Sequence, residues 1–297
     1  NVLKEKNVFV MNSDRASIQD IRPLKIGVIN LMPTLEVTET QLIKMLANTP
    51  LQVDLHLIMM DTDYRKKEDL SHLNEFYRPY DEVKDEKFDG MIITGAPVEQ
   101  LAFEEVDYWD ELVGIMDYAK KHVHATLYIC WGAQAGLYHH YGIPKYGLPR
   151  KLSGIFSHTI NDPTNQLFRG FDDVFHAPHS RHTEVRGEDI AKIPTLEILA
   201  ESDEAGVLVA GTLDGRSMFI TGHLEYDRDT LDAEYRRDVA KGMEITPPAH
   251  YYPGDDATRP PLVSWRDHAH LFYSNWLNYC VYQATPYRLD DIPTDRD

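Results

Sequence analysis

Along the first half of the chain, short apolar runs rich in β-branched residues alternate with longer stretches in which apolar residues recur every three or four positions. Leu24–Leu31 is the first such run, and it ends at Met32-Pro33, which predicts a strand. Thr34–Ala47 sets Leu35, Leu42, Ile43 and Leu46 on one helical face and stops at Asn48-Thr49-Pro50. Leu51–Met59 alternates into a second strand. Strand, helix and strand in this order form a βαβ unit, hence a parallel sheet with a right-handed crossover. Phe88–Thr94 predicts a third strand, with Gly95-Ala96-Pro97 at its end. Phe103–Lys121 predicts a helix with an acidic start, as the helix dipole favours. Ala125–Ile129 is a further buried strand, and Ala133–Tyr141 a helix that ends at Gly142 and Pro144. The expected fold is α/β: a doubly wound, mostly parallel sheet flanked by helices, with ligands gathered at the carboxyl ends of the strands.

The rest of the chain is less regular. Val8–Met11 reads as a short edge strand or an apolar anchor within an N-terminal arm, residues 1–23. Asp61–Asp85 is highly charged, with Pro79 late in it, and reads as a solvated helix or an irregular excursion. Leu148–Asn161 and Asp172–Thr183 stand out for histidine. Leu196–Ala200, Gly206–Ala210 and Ser217–Thr221 predict strands, two of them joined by a hairpin turn through Asp214-Gly215. Arg228–Gly242 reads as a charged helix, Ile245–Pro261 as a proline-rich linker, and His268–Tyr282 as an amphipathic helix with Leu271, Trp276 and Leu277. The expected organisation is one domain over 1–297: the arm, an α/β core over 24–244, and a linker and helix over 245–297.

Chemistry enters at Thr126–Gly136. Cys130 lies between the predicted strand and helix, followed by Trp131 and Gly132. A cysteine at such a turn meets the positive end of a helix, which favours the thiolate. The arrangement is that of a nucleophile elbow with Cys in place of Ser; a buried structural cysteine is the alternative. A cysteine nucleophile needs a base, and the base needs an orienting partner. Gly222-His223-Leu224-Glu225 follows the strand Ser217–Thr221. In an extended segment His223 and Glu225 face the same side, so both can reach one pocket.

Composition narrows the partners. The chain has 297 residues with 30 Lys and Arg against 48 Asp and Glu, a formal net charge of -18. Such an acidic surface argues against non-specific nucleic-acid binding and against anionic membranes. The 2 cysteines, Cys130 and Cys280, make no disulfide framework, and a free catalytic thiol implies a reducing compartment. No apolar run approaches the roughly 18 residues of a membrane span, so a cytoplasmic location is expected. His158, His176, His179 and His182 lack a clean ligand spacing, so no metal is expected and surface or pocket roles are assigned to them.

The motifs around Cys130, Gln134, His223 and Glu225 resemble the Cys-His-Glu triad of class I glutamine amidotransferases. A longer resemblance runs along nearly the whole chain, to the homoserine O-acyltransferases of methionine biosynthesis. It is carried by Gln19–Leu24, Asn30–Pro33, Thr38–Leu42, Asn48–Val53, Thr94–Pro97, Val106–Trp109, Ala177–Arg181 and Ala269–Leu271. Leu224 departs from the family, which has Pro between the His and the Glu. The resemblance implies L-homoserine and an acyl-CoA as substrates, no cofactor beyond acetyl-CoA as co-substrate, and a homodimer. Cys130 would attack the thioester, His223 would act as base and Glu225 would hold the imidazole. Backbone N–H groups of Ala96 and Trp131 would form the oxyanion hole, since Pro97 has none.

Resemblance also implies that Lys151, Ser180 and Arg237 contact homoserine; an ordinary charged helix face is the alternative for Arg237. It implies finally that Glu99 marks users of acetyl-CoA, where a Gly marks users of succinyl-CoA. Physically, Glu99 would meet the distal carboxylate of a succinyl group with like charge; a solvated loop residue is the alternative. The expected activity is homoserine O-acetyl transfer through an acyl-cysteine. Succinyl transfer, a glutamine amidotransferase or glutamyl hydrolase, and a non-enzymatic binding module are the competing readings.

Overall fold

The computed structural model describes residues 22–60, 62, 70–286, 288–292 and 294. The Val8–Met11 expectation lies outside them. Among the described residues, ten strands form one sheet in the order β3-β2-β1-β4-β5-β10-β9-β8-β6-β7. The first six are parallel: β1 (Leu24–Ile29), β2 (Val53–Met59), β3 (Tyr77–Pro79), β4 (Phe88–Ile93), β5 (Val123–Ile129) and β10 (Ser217–Ile220). The remaining strands join by antiparallel pairing: β6 (Tyr146–Ile160), β7 (Val174–Glu184), β8 (Leu196–Ser202) and β9 (Gly206–Thr212).

The central strands read as continuous apolar runs because helices cover both faces. Leu127 and Ile129 of β5 point into one core, with Leu42, Met45 and Leu46 of α1 (Leu35–Leu46) and with Phe272 and Trp276. Tyr128 points into the other, with Leu112, Ile115 and Met116 of α4 (Trp109–His122) and with Trp131 and Leu137 of α5 (Trp131–Tyr141). Two helices fall in the charged stretch before β4, α2 (Leu70–Phe76) and α3 (Tyr80–Val83). A small helix, α6 (Gly187–Ile190), follows β7, and α7 (Thr230–Ala240) follows β10. The C-terminal helix is α8 (Arg266–Asn275), which continues as a π-helix over Trp276–Tyr282. Among the described residues, no helix is long and apolar enough to cross a membrane.

Three expectations need correction. The charged stretch before β4 contains β3, which adds a strand to the sheet edge and buries Tyr77. The histidine-rich stretches are the long antiparallel pair β6 and β7. The proline-rich linker is not a free tether: Tyr251 and Tyr252 are buried, and Ala249 bridges to Gly154.

Candidate active site

The site forms where the parallel strands end. Cys130 joins β5 to α5 with φ 51° and ψ -116°, a conformation disfavoured for any residue with a side chain. Holding it costs about 1–3 kcal/mol, and strain of this kind clusters at functional sites. Two features hold it in place. The Cys130 N–H donates to Ile220 O of the neighbouring β10 at 2.6 Å. Gly132 lets α5 press against the end of β4; a Cβ there would lie 2.5 Å from Thr94 O and 2.8 Å from Ile93 O. The Gly95 turn also packs closely, since a Cβ on Gly95 would meet Cys130 Cβ at 3.1 Å.

His223 and Glu225 come together through a tight turn rather than an extended segment, with Tyr226 N–H donating to His223 O at 3.3 Å. His223 Nδ1 lies 2.7 Å from Glu225 Oε1, and both side chains are buried. The imidazole also hydrogen-bonds Cys130. With Nδ1 taken by Glu225, that contact is made by Nε2. Burial works against the charged imidazole, but the facing Cys130 sulfur and the Glu225 carboxylate outweigh it. Together they hold the His223 pKa well above its usual value. The ring of Tyr226 stacks on His223 at 4.1 Å.

These groups open on a pocket of about 710 Å³. Of the residues singled out from sequence, Cys130, His223, Glu225, Ala96, Glu99, Lys151, Ser180 and Arg237 all line it. Trp131 does not; its side chain is buried. Its N–H, the first of α5, has no intrahelical acceptor and stands beside the Gly95 turn. Glu99 is fixed rather than loose, since its Oε1 accepts the His182 N–H at 3.1 Å. Arg237 donates through Nε to Asp238 at 2.7 Å, which leaves its terminal nitrogens on the pocket wall. Lys151 Nζ reaches Glu234 and Asp238, each at 3.2 Å, and Ser180 donates to Glu234.

Sequence reasoning missed several of these partners. Glu234 and Asp238 stand four apart on α7 and so share a face; that spacing was the available signal. Tyr226 stacks on the base and donates to Glu234 at 2.9 Å. Among the described residues no carboxylate bonds to the buried Arg181: Nη1 donates to Thr183 O at 2.8 Å and Nη2 to Ala205 O. Burial lowers its pKa, against the opposing pull of Cys130, Glu184 and Glu99.

The histidines are not surface groups throughout. His158 and His179 are buried and face each other, Nε2 to Nε2, at 3.1 Å. Arg181 Nε donates to His179 Nδ1 at 3.5 Å, so His179 carries its hydrogen on Nε2 and donates it to His158. Burial drives the pKa of His158 down to about 4 and that of His179 well below its usual value, so both are neutral. Asp117, His139 and His140 have donor atoms within 4.8 Å of one another and could hold a metal ion. None of the three lines the pocket.

A sequence model of the homoserine O-succinyltransferase family matches residues 1–287. A homoserine O-acetyltransferase of Brevibacillus brevis is 58% identical over 290 residues, covering 98% of this chain and 95% of that relative. One of Acetivibrio thermocellus is 57% identical over 291 residues, with coverage of 98% and 95%. A solved glutamine amidotransferase of Thermotoga maritima shares the fold with a TM-score of 0.52 at 12% identity, covering 88% of this chain and 99% of its own. Identity that low speaks to the fold alone, and the fold is the one expected.

Proposed function

The chain belongs to the homoserine O-succinyltransferase family, and on that premise we propose that it transfers the acetyl group of acetyl-CoA to the hydroxyl of L-homoserine, through an acyl-cysteine on Cys130. The observation that carries this reading is the convergence of two arrays on one pocket. The Cys130–His223–Glu225 line supplies acyl-transfer chemistry, and the Arg237, Lys151, Glu234 and Ser180 cluster suits a small zwitterion.

In the first half-reaction the Cys130 sulfur attacks the thioester carbonyl. The oxyanion accepts hydrogen bonds from the Ala96 and Trp131 N–H groups, each worth about 3 kcal/mol in the transition state. His223 delivers its proton to the departing CoA sulfur. In the second, the homoserine hydroxyl loses its proton to His223 Nε2 and attacks the acyl carbon, and Cys130 leaves as thiolate. Glu225 keeps the ring oriented through Nδ1 in both steps. The terminal nitrogens of Arg237 suit the homoserine carboxylate as a bidentate fork, and Glu234 suits its ammonium. Glu99 disfavours a succinyl group by like charge and bulk.

Acetyl-CoA serves as co-substrate with no further cofactor. The same reading takes the protein as a cytoplasmic homodimer in methionine biosynthesis, for which light scattering gives the mass.

The test is intact mass after incubation with acetyl-CoA alone, then with L-homoserine. The expected result is one added acetyl group, mapped to Cys130 and discharged by homoserine. An unmodified chain that still turns over, or acetyl on Cys280, would refute the mechanism. Transfer from glutamine rather than a thioester would favour the amidotransferase reading.

A further inference from the structure

The turn that carries His223 and Glu225 has a second cavity on its other side. Leu224, between the two, is buried and lines a cavity of about 240 Å³ that the catalytic pocket does not include. Leu224, Met45 and Trp265 form its apolar wall, and Lys44, Arg266 and His270 its polar one.

The polar groups are not equivalent. Lys44 Nζ holds both oxygens of Asp227, each at 2.9 Å, so neither is open to a cationic ligand without breaking that pair. Arg266 is exposed and has no carboxylate partner among the described residues. His270 keeps its Nδ1 buried without a hydrogen-bond partner among the described residues. Burial, and then Arg266, lower the His270 pKa, so the ring is neutral near pH 7. The cavity therefore offers one free guanidinium, the accessible edge of a neutral imidazole and an apolar wall. At this volume it lies below the ~300 Å³ at which drug-sized pockets begin.

We propose that this cavity binds a small monocarboxylate with a short aliphatic chain, and that its occupancy alters the reactivity of Cys130. The carboxylate pairs with Arg266 and accepts from His270, and the chain packs on Leu224, Met45 and Trp265. The coupling path is short. Trp265 Nε1 donates to Tyr226 O at 3.0 Å, and the Tyr226 ring stacks on His223 at 4.1 Å. Tyr226 lines both pockets. Pressure on Leu224 or Trp265 is thus transmitted to the base that hydrogen-bonds Cys130.

The probe is isovalerate, with 3-methylbutan-1-ol as the uncharged analogue. The readout is the rate of Cys130 alkylation by iodoacetamide in the full chain, with no substrate present, which does not depend on the proposed acyl transfer. The expected result is a saturable change of rate with isovalerate and none with the alcohol. In Arg266→Gln the half-saturating concentration should rise by about tenfold or more, since a charge-assisted pair is lost. Isothermal titration of isovalerate into both proteins gives the same comparison without the thiol. No saturable response overturns the proposal. An equal response in Arg266→Gln places the probe in the catalytic pocket and overturns it as well. A matching response to the alcohol removes the carboxylate from the ligand class.

Discussion

Replacing Gly132 with Ala adds one methyl group at the tightest point of the elbow. The new Cβ would lie 2.5 Å from Thr94 O and 2.8 Å from Ile93 O. Both atoms are backbone carbonyls, so neither can rotate away as a side chain could. Thr94 is tied further: its N–H donates to Ile29 O at 3.1 Å, and its Oγ1 accepts the Leu31 N–H at 2.8 Å. The strain is relieved when α5 backs away from β4. That motion carries Cys130 and the Trp131 N–H away from the Gly95 turn, and so opens the oxyanion hole. Overpacking of this kind costs about 1–3 kcal/mol of stability. Misaligning one oxyanion donor costs about 3 kcal/mol more in the transition state, roughly a hundredfold in kcat. The assay is urea unfolding together with steady-state kinetics on acetyl-CoA. Gly114→Ala is the control, because nothing lies within 4 Å of a Cβ there and the residue is inside α4. It should stabilise the protein by about 0.5–1 kcal/mol and leave kcat alone. Wild-type kcat and an unchanged unfolding midpoint in Gly132→Ala would show that the elbow does not depend on this close approach.

Glu99→Gly should move donor preference toward succinyl-CoA. Two unit charges about 4 Å apart repel by roughly 1 kcal/mol in water and about 4 kcal/mol at a protein-like dielectric, so a change near a hundredfold in the ratio of kcat/KM is expected. An unchanged ratio would sink the assignment. In Cys130→Ala the sulfur no longer helps to raise the His223 pKa, so the imidazole should titrate at lower pH than in wild type, read by NMR of the ring protons. Cys280, whose thiol burial pushes up to about 12, should stay unalkylated at neutral pH in either protein. His158 has a folded pKa of about 4 against an ordinary 6.5. Between those values the unfolded chain binds the extra proton, so stability falls as pH falls from 6.5 toward 4, by about 3 kcal/mol in all. His158→Gln keeps an acceptor for His179 but cannot titrate. It should flatten that limb in urea titrations, and an equally steep limb would assign the loss to other groups.

The parallel half of the sheet was legible because its strands are buried on both faces, and such burial leaves unbroken apolar runs such as Phe88–Ile93. The elbow and the Gly-His-x-Glu turn were legible because each is local: strand, turn and catalytic residue are contiguous. β6 and β7 were not read as strands. Their burial is mixed, and the histidines that marked them include an interior pair formed only when His158 and His179 meet across the ladder. β3 was hidden in a charged stretch because three residues at a sheet edge leave almost no pattern. The substrate wall shows the same division. Arg237 read better as an ordinary helix face, and nothing local to Lys151 or Ser180 pointed to Glu234 and Asp238. Those residues are joined by contacts spanning 54 to 87 positions of chain. Leu224 was visible only as a departure from a pattern; that it lines a second cavity depends on Met45 and Trp265 arriving from distant helices. Burial and backbone geometry act residue by residue and leave their mark on neighbouring positions. Which side chains share a pocket is decided by long-range packing, and that leaves no periodic trace along the chain.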